Sequence, residues 1–453
     1  MKSMESELIE TSSPVKTDRM LVSFGPSHPA MHGTIKIDVE LDGETVMDAK
    51  VEIGYLHRAF EKSSEQGNYQ HPIPYADRLN YVSPLINNFG YAQAVEKLLG
   101  IEITERCKYV RVILSELSRV TDHLTCIGAS AMEIGAFSVF LYMIKAREYL
   151  YELVEDVTGA RLTVSYVRIG GVKADFPDGF EAKTRTAIRK TREVLAEVDR
   201  LLTKNRIFHD RMRGVGVCTQ EIAIRYGITG PFLRSTGVNY DVRKVTPYLV
   251  YDSLDFEVPL GKTGDNYDRY LCRMAEMEQS MRMVEQAFER MPEGEVNVDL
   301  TDKSIPAAEM RDLGKLGATE GLVKRDVAPE PTLEGTNRAA SMLVNIQNKK
   351  VMLPPKDETY SNIEGLMNHF KMVMTGHGVR PPKGEAYSAV EGANGELGFY
   401  VVSDGTDQPY RVRCRPPCFP IMAALPHFLI GYSVADIVPT FGSVNMVGGE
   451  LDR

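Results

Sequence analysis

No cysteine occurs before residue 107 of this 453-residue chain, and the six that follow form no CxxC pair. Cys107, Cys126, Cys218 and Cys272 are isolated, and only Cys414 and Cys418, in CRPPC, lie close together. Zinc chemistry built on paired cysteines therefore has no support, and scattered thiols suit structural residues in a reducing compartment. Positive charge is also in deficit, with 53 Lys and Arg against 62 Asp and Glu and a net charge of -9. Nucleic-acid proteins show a basic face instead, so that class is set aside. HExxH and GxSxG are missing. PLGKTG lacks a phosphate loop's first glycine, with Phe256 in its place, and GVGVCT lacks the third glycine of a dinucleotide fingerprint. The first 18 residues have neither the basic start nor the apolar run of a signal peptide, and are expected to form a disordered tail on a cytoplasmic protein.

Long apolar runs are scarce too. Residues 124–144, LTCIGASAMEIGAFSVFLYMI, have the length of a membrane span, but Glu133 sits in the middle. A carboxylate there is costly in lipid, and the run has no hydrophobic partner segment, so a buried core helix is expected.

What is present reads as an α+β protein. IKIDVEL and TVMDAKVEI alternate on either side of a DGE turn, which predicts a hairpin within 19–63. Residues 64–292 read as a helical bundle. Its clearest helix carries Tyr267, Tyr270, Met274, Met277, Met281, Val284, Phe288 and Met291 on one stripe, a packed seam rather than a metal box. A second amphipathic helix is expected over 180–204, through Ile188, Val194, Leu195, Val198 and Leu201. Residues 293–356 are rich in Pro, Gly and charge without periodicity, and are expected to form a flexible insertion. A mixed segment over 357–453 follows, with strands at GELGFYVVSDG and PYRVRCR. The whole of 19–453 reads as one domain.

His28 and His32, in GPSHPAMHG, stand four apart beside Gly and Pro, yet no third metal ligand follows. Taken alone, such a histidine caps its own turn, and Tyr81 is an amphipathic core residue.

Eight segments change that reading. GPSHPAMHG (25–33), GYLHRAFEK (54–62), RLNYV (78–82), AVEKLLG (94–100), RVILSELSRVTDHL (111–124), RIGGV (168–172), GVNYDVRK (237–244) and PPKGEAY (381–387) occur in this order. Together they resemble the quinone-binding D-type subunit of complex I, a family related to the large subunit of nickel–iron hydrogenases. The resemblance runs from residue 19 to Arg453, apart from the insertion.

It implies a hydrogenase-large-subunit-like fold without nickel–iron ligands, since the required CxxC pairs are missing. It further implies a quinone-headgroup pocket formed by His28, His32, Arg78, Tyr81, Ser83 and Glu133. His32 and Tyr81 would give protons to the two quinone oxygens, and Glu133 would pair with His32, where relatives carry Asp. Arg58, Arg78 and Thr163 would lie near an iron–sulfur cluster held by a partner subunit; many relatives have His at the last position. No metal is expected in this chain itself. The implied partners are the cluster subunit, a small hydrophilic C-type subunit and a quinone-channel membrane subunit, at the cytoplasmic face of the cell membrane. Two alternatives remain at this stage: a hydrogenase-like large subunit, and a non-catalytic scaffold of a related redox complex with another electron donor.

Overall fold

The computed structural model describes residues 19–31, 33–298, 353–354 and 356–453. The expected tail 1–18, His32 and most of the expected insertion lie outside them.

The N-terminal sheet is β1 (Met20–Phe24), β2 (Lys36–Asp42) and β3 (Thr45–Glu52), antiparallel in that order. Alternation decides its faces: Ile37, Val39 and Leu41 are buried while Lys36, Asp38 and Glu40 look outward. Ile37 pairs with Val51 and Val39 with Ala49, and Gly43 makes the turn at φ 61°. The buried face packs on residues from the far end of the chain, among them Phe428, Phe441 and Leu451. Burying each such apolar side chain contributes roughly 2 kcal/mol. Sequence ends are thus joined through one core.

The helices that position the site are α1 (Pro84–Leu99), α2 (Glu105–Glu133), α3 (Phe137–Thr158), α4 (Phe180–Leu202) and α5 (Asn266–Arg290). Pro84 opens α1, where its missing N–H costs nothing, and Gly100 closes it at φ 66°. Thr104 caps α2 by accepting from Cys107 N, and Asp265 caps α5 by accepting from Asp268 N. α2 is central: every residue from Val110 to Leu124 is buried.

Charged groups are part of that burial. Arg119, Arg234 and Arg243 lie among Glu116, Asp241, Glu276 and Glu391, all at most 2% exposed. Arg234 donates to Glu391 at 2.8 Å and Glu276 at 3.0 Å, and Arg243 to Asp241 at 2.7 Å. Breaking one such partner costs about 3–5 kcal/mol, because a charge is left uncompensated. This lattice has no periodic trace in the sequence.

The expected core helix over 124–144 is two helices. α2 stops at Glu133, Gly135 takes φ 93°, and α3 restarts at Phe137. Phe137 and Leu141 are exposed, so the run is a corner with an apolar outer edge. On α4, Leu201 is exposed and Leu202 takes the buried place. The methionine seam of α5 is present, with Met277 and Met281 fully buried. Order continues past the expected start of the insertion: Val296 and Val298 are buried, and Val298 N donates to Gly170 O at 2.9 Å. That contact adjoins the short ladder of β4 (Val167–Arg168) and β5 (Gly171–Val172).

The C-terminal portion holds α6 (Ile363–Val373) and a second antiparallel sheet, β6 (Gly384–Glu391), β7 (Glu396–Ser403) and β8 (Arg411–Arg415). Then come α7 (Ile437–Val444) and α8 (Gly448–Asp452). Among the described residues, no helix is long and apolar enough to cross a membrane.

Candidate functional site

Three turns and one helix end, distant in sequence, meet around residues 442–452. The first turn is 25–33. A Cβ added at Gly33 would stand 3.1 Å from Met446 Cε and 3.5 Å from Gly448 N. His32 itself lies outside the described residues, but its neighbour Met31 is buried. His28 is exposed; its Nδ1 accepts from Ala30 N at 3.2 Å and its ring meets Phe24 edge-on. That is the backbone-capping role a turn histidine takes.

The second turn is 54–58. The Asp452 carboxylate accepts from Gly54 N at 2.9 Å and Leu56 N at 2.7 Å, and His57 Nδ1 lies 2.7 Å from Asp452 O. Arg58 Nη2 donates to Arg78 O at 2.6 Å. Neither arginine forms an ion pair among the described residues. Desolvation first, and then the Arg78 charge, lower the pKa of Arg58.

The third turn, 77–83, carries Arg78, Tyr81 and Ser83. A Cβ at Gly449 would overlap Arg78 O and would stand 2.7 Å from Leu79 O, so only glycine lets α8 pass here. Ser83 is buried at the head of α1. Tyr81 keeps 41% of its surface exposed, so it is not the core residue that its pattern alone would give. Burial of the rest, and then the Asp122 charge, raise the pKa of its phenol. Thr163 is exposed, two residues before Ser165, whose N and Oγ donate to Asp77 at 2.7 and 2.6 Å. Ser165 thereby ties the segment that carries Thr163 to the residue before Arg78.

The helix end is that of α2. Glu133 is half-buried against α7, where a Cβ at Gly442 would overlap its Oε2. Ser130, one turn earlier, donates to Gly442 O at 2.8 Å.

Sequence reasoning missed the element that gathers these groups. The glycine-rich GSVNMVGGELDR was a legible sign, since closely approaching backbones need glycine. Behind it lies Glu450, fully buried, whose Oε1 accepts from Cys418 N at 3.1 Å. Burial, helped by the Asp122 charge, pushes its carboxyl up to about 7.

The folded chain therefore holds this proton more tightly than the unfolded chain does. Below the ordinary glutamate pKa there is no penalty. As pH rises from the ordinary glutamate pKa to about 7 the folded state loses up to about 3 kcal/mol, and above that the loss is constant. Glu450→Gln is expected to raise the thermal midpoint of the purified assembly at pH 8 and to raise it much less at pH 5. Equal shifts at both pH values would refute the assignment.

All six cysteines are buried free thiols, and burial pushes Cys107, Cys126 and Cys218 up to about 11 and Cys418 well above its ordinary value. Among the described residues, no three His, Cys, Asp or Glu side chains are grouped as a metal ion needs.

Comparison with known proteins defines the class. Residues 133–325 and 334–453 match the family described as respiratory-chain NADH dehydrogenase, 49 Kd subunit. The chain is 46% identical to a D-type subunit of the NADH-quinone oxidoreductase of Sorangium cellulosum, over the full length of both. It is 45% identical to the D-type subunit of the Myxococcus xanthus enzyme, covering 99% of this chain and 95% of the relative. In Bdellovibrio bacteriovorus, a C/D subunit is 44% identical over 98% of this chain and 71% of its own length. The chain belongs to the family of D-type, 49 kDa subunits of the NADH-quinone oxidoreductase, an oxidoreductase of the complex I class.

Proposed function

We propose that the corner formed by the Tyr81 turn, the end of α2 and residues 442–452 is the protein wall of a quinone-headgroup site. The observation that supports it best is the convergence of Tyr81, Glu133 and the His32-bearing turn on one short segment. Quinone takes two electrons and two protons to become quinol. Tyr81 supplies one proton, and its partly exposed hydroxyl has the reach for it; His32 supplies the other, with a side chain that titrates near neutrality. Glu133 orients His32. His28, Arg78 and Ser83 complete the surround. Exposed Met132, Phe137 and Leu141 give the same corner an apolar edge suited to a quinone ring or to a covering subunit.

Electrons arrive from an iron–sulfur cluster in a partner subunit, facing Arg58, Arg78 and Thr163. Two guanidiniums that form no ion pair among the described residues offset the negative charge such a cluster gains on reduction. A C-type partner is supported by the Bdellovibrio relative, which carries C and D in one chain. A membrane subunit admits the quinone tail, and this chain sits peripherally at the cytoplasmic face. Descent from a hydrogenase-like large subunit is part of the same reading. A working nickel–iron centre would need thiolates, whereas these buried thiols hold their protons.

Purification of the native assembly, partner identification by mass, and an NADH–quinone assay test the proposal. An intact assembly without quinone reduction would leave the scaffold reading in its place.

One departure has a separate outcome. Threonine does not titrate between pH 5 and 8, whereas histidine does. With Thr163 at the cluster-facing border, the cluster midpoint is expected to be nearly independent of pH. The limiting slope for one proton per electron is about 59 mV per pH unit. His123 is buried against Glu276 at 3.2 Å and His209 bonds Thr203 O at 2.7 Å, so both are already engaged. Redox titration at pH 6, 7 and 8 checks this: a steep slope refutes it, and Thr163→His should introduce one.

A further inference from the structure

Asp122 sits in the middle of α2 with none of its surface exposed. Its Oδ2 accepts from Asn80 Nδ2 at 2.8 Å and its Oδ1 from Asn445 Nδ2 at 2.5 Å. Among the described residues it forms no salt bridge. A buried carboxylate held by two neutral amides is costly, and it remains where its geometry does something an uncharged group does not. Two N–H donors converge on it from opposite sides. A carboxylate meets both with acceptors, while an asparagine there would turn its own donor toward one of them.

Those two donors belong to the two arms of the headgroup site. Asn80 directly precedes Tyr81. Its side-chain oxygen accepts from Val82 N at 3.1 Å and Ser83 N at 3.4 Å, and its carbonyl accepts from Asn87 at 2.8 Å. The backbone on both sides of Tyr81 is thereby tied to Asn80, and Asn80 to Asp122. Asn445 follows α7 at φ 59°, a conformation asparagine tolerates, and also donates to Asn394 Oδ1 at 2.6 Å. Three residues before it stands Gly442, against which Glu133 rests.

We propose that Asp122 is a positioning residue for quinone reduction: it joins the turn that carries Tyr81 to the α7 corner that seats Glu133, and so fixes where the phenol stands relative to that carboxyl. This rests on the reading of Tyr81 as a proton donor.

A double-mutant cycle in the assembled enzyme tests it, with a short-tailed benzoquinone and a short-tailed naphthoquinone assayed separately. Asp122→Asn is expected to lower kcat for quinone about tenfold, as a small misplacement of a reacting group does. Reduction of an artificial acceptor upstream of the quinone should not change. In a Tyr81→Phe background, Asp122→Asn should cost less than about twofold more, because it acts only through that hydroxyl. The exchange Asp122→Asn with Asn445→Asp restores one carboxylate and one amide between the two positions and should recover most of the rate. It replaces the single variant in the cycle if Asp122→Asn does not assemble. A normal rate in Asp122→Asn overturns the proposal, as do losses that multiply with Tyr81→Phe, since those mark a general structural role. If Tyr81→Phe alone has no effect, the donor reading falls first.

Discussion

Tyr81→Phe is expected to slow quinone reduction about 10²-fold, the scale of losing one positioned proton donor. The substitution keeps the ring and removes a hydroxyl on a side chain that is 41% exposed, so folding should be spared. The turn is held by Asn80, Val82 and Ser83 rather than by the phenol. Burial, and then the Asp122 charge, raise the pKa of the phenol, so a donor here would release its proton only to a developing quinol oxygen that is basic enough to take it. Reduction of an artificial acceptor upstream should continue at its normal rate. Equal loss of both activities would make Tyr81 structural.

The second large effect is expected at Gly442. Alanine suits a helix interior better than glycine by about 1 kcal/mol. Its methyl group would overlap only Glu133 Oε2, the far end of a flexible side chain, with Ser130 Oγ next at 3.4 Å. The fold should therefore accept Gly442→Ala with an unchanged or slightly higher thermal midpoint, while Glu133 is forced to swing away. Quinone reduction should fall about tenfold, matching Glu133→Gln, which keeps the shape and removes the charge. Glu133→Leu should lose stability as well. Full activity of the Gln variant across pH 6 to 8 would remove Glu133 from the mechanism, and normal activity of Gly442→Ala would show that its position is immaterial.

What could be read from sequence was what depends on near neighbours. The β2–β3 hairpin follows from alternation around Gly43, and the α5 seam from methionines at helical spacing. Leu201 was misread because two adjacent leucines fit the stripe almost equally well, and packing chose Leu202. The split at Gly135 was hidden by small residues that carry the apolar run through a corner. Strand β6 was noticed only as the PPKGEAY motif, and its pairing with β7 supplies the evidence that it is a strand. Tyr81, Arg58 and Arg78 stood out through resemblance. Asp122 and Asn445 did not, because their value lies in a contact across 323 residues that no local pattern encodes.

The contact between Asp452 and the 54–56 turn spans 398 residues, whereas Arg58 and Arg78 meet across only 20. Closing the longer loop costs about 2.6 kcal/mol more chain entropy if the intervening chain is still unfolded. Turns, hairpin and bundle thus have reason to form before this junction is made, with α7 and α8 docking onto surfaces already in place. High contact order of this kind slows folding and exposes the unfinished corner meanwhile. In the native protein the amide protons of Gly54 and Leu56 are held by the Asp452 carboxylate, so their exchange would report whether α8 leaves this junction before the bundle unfolds.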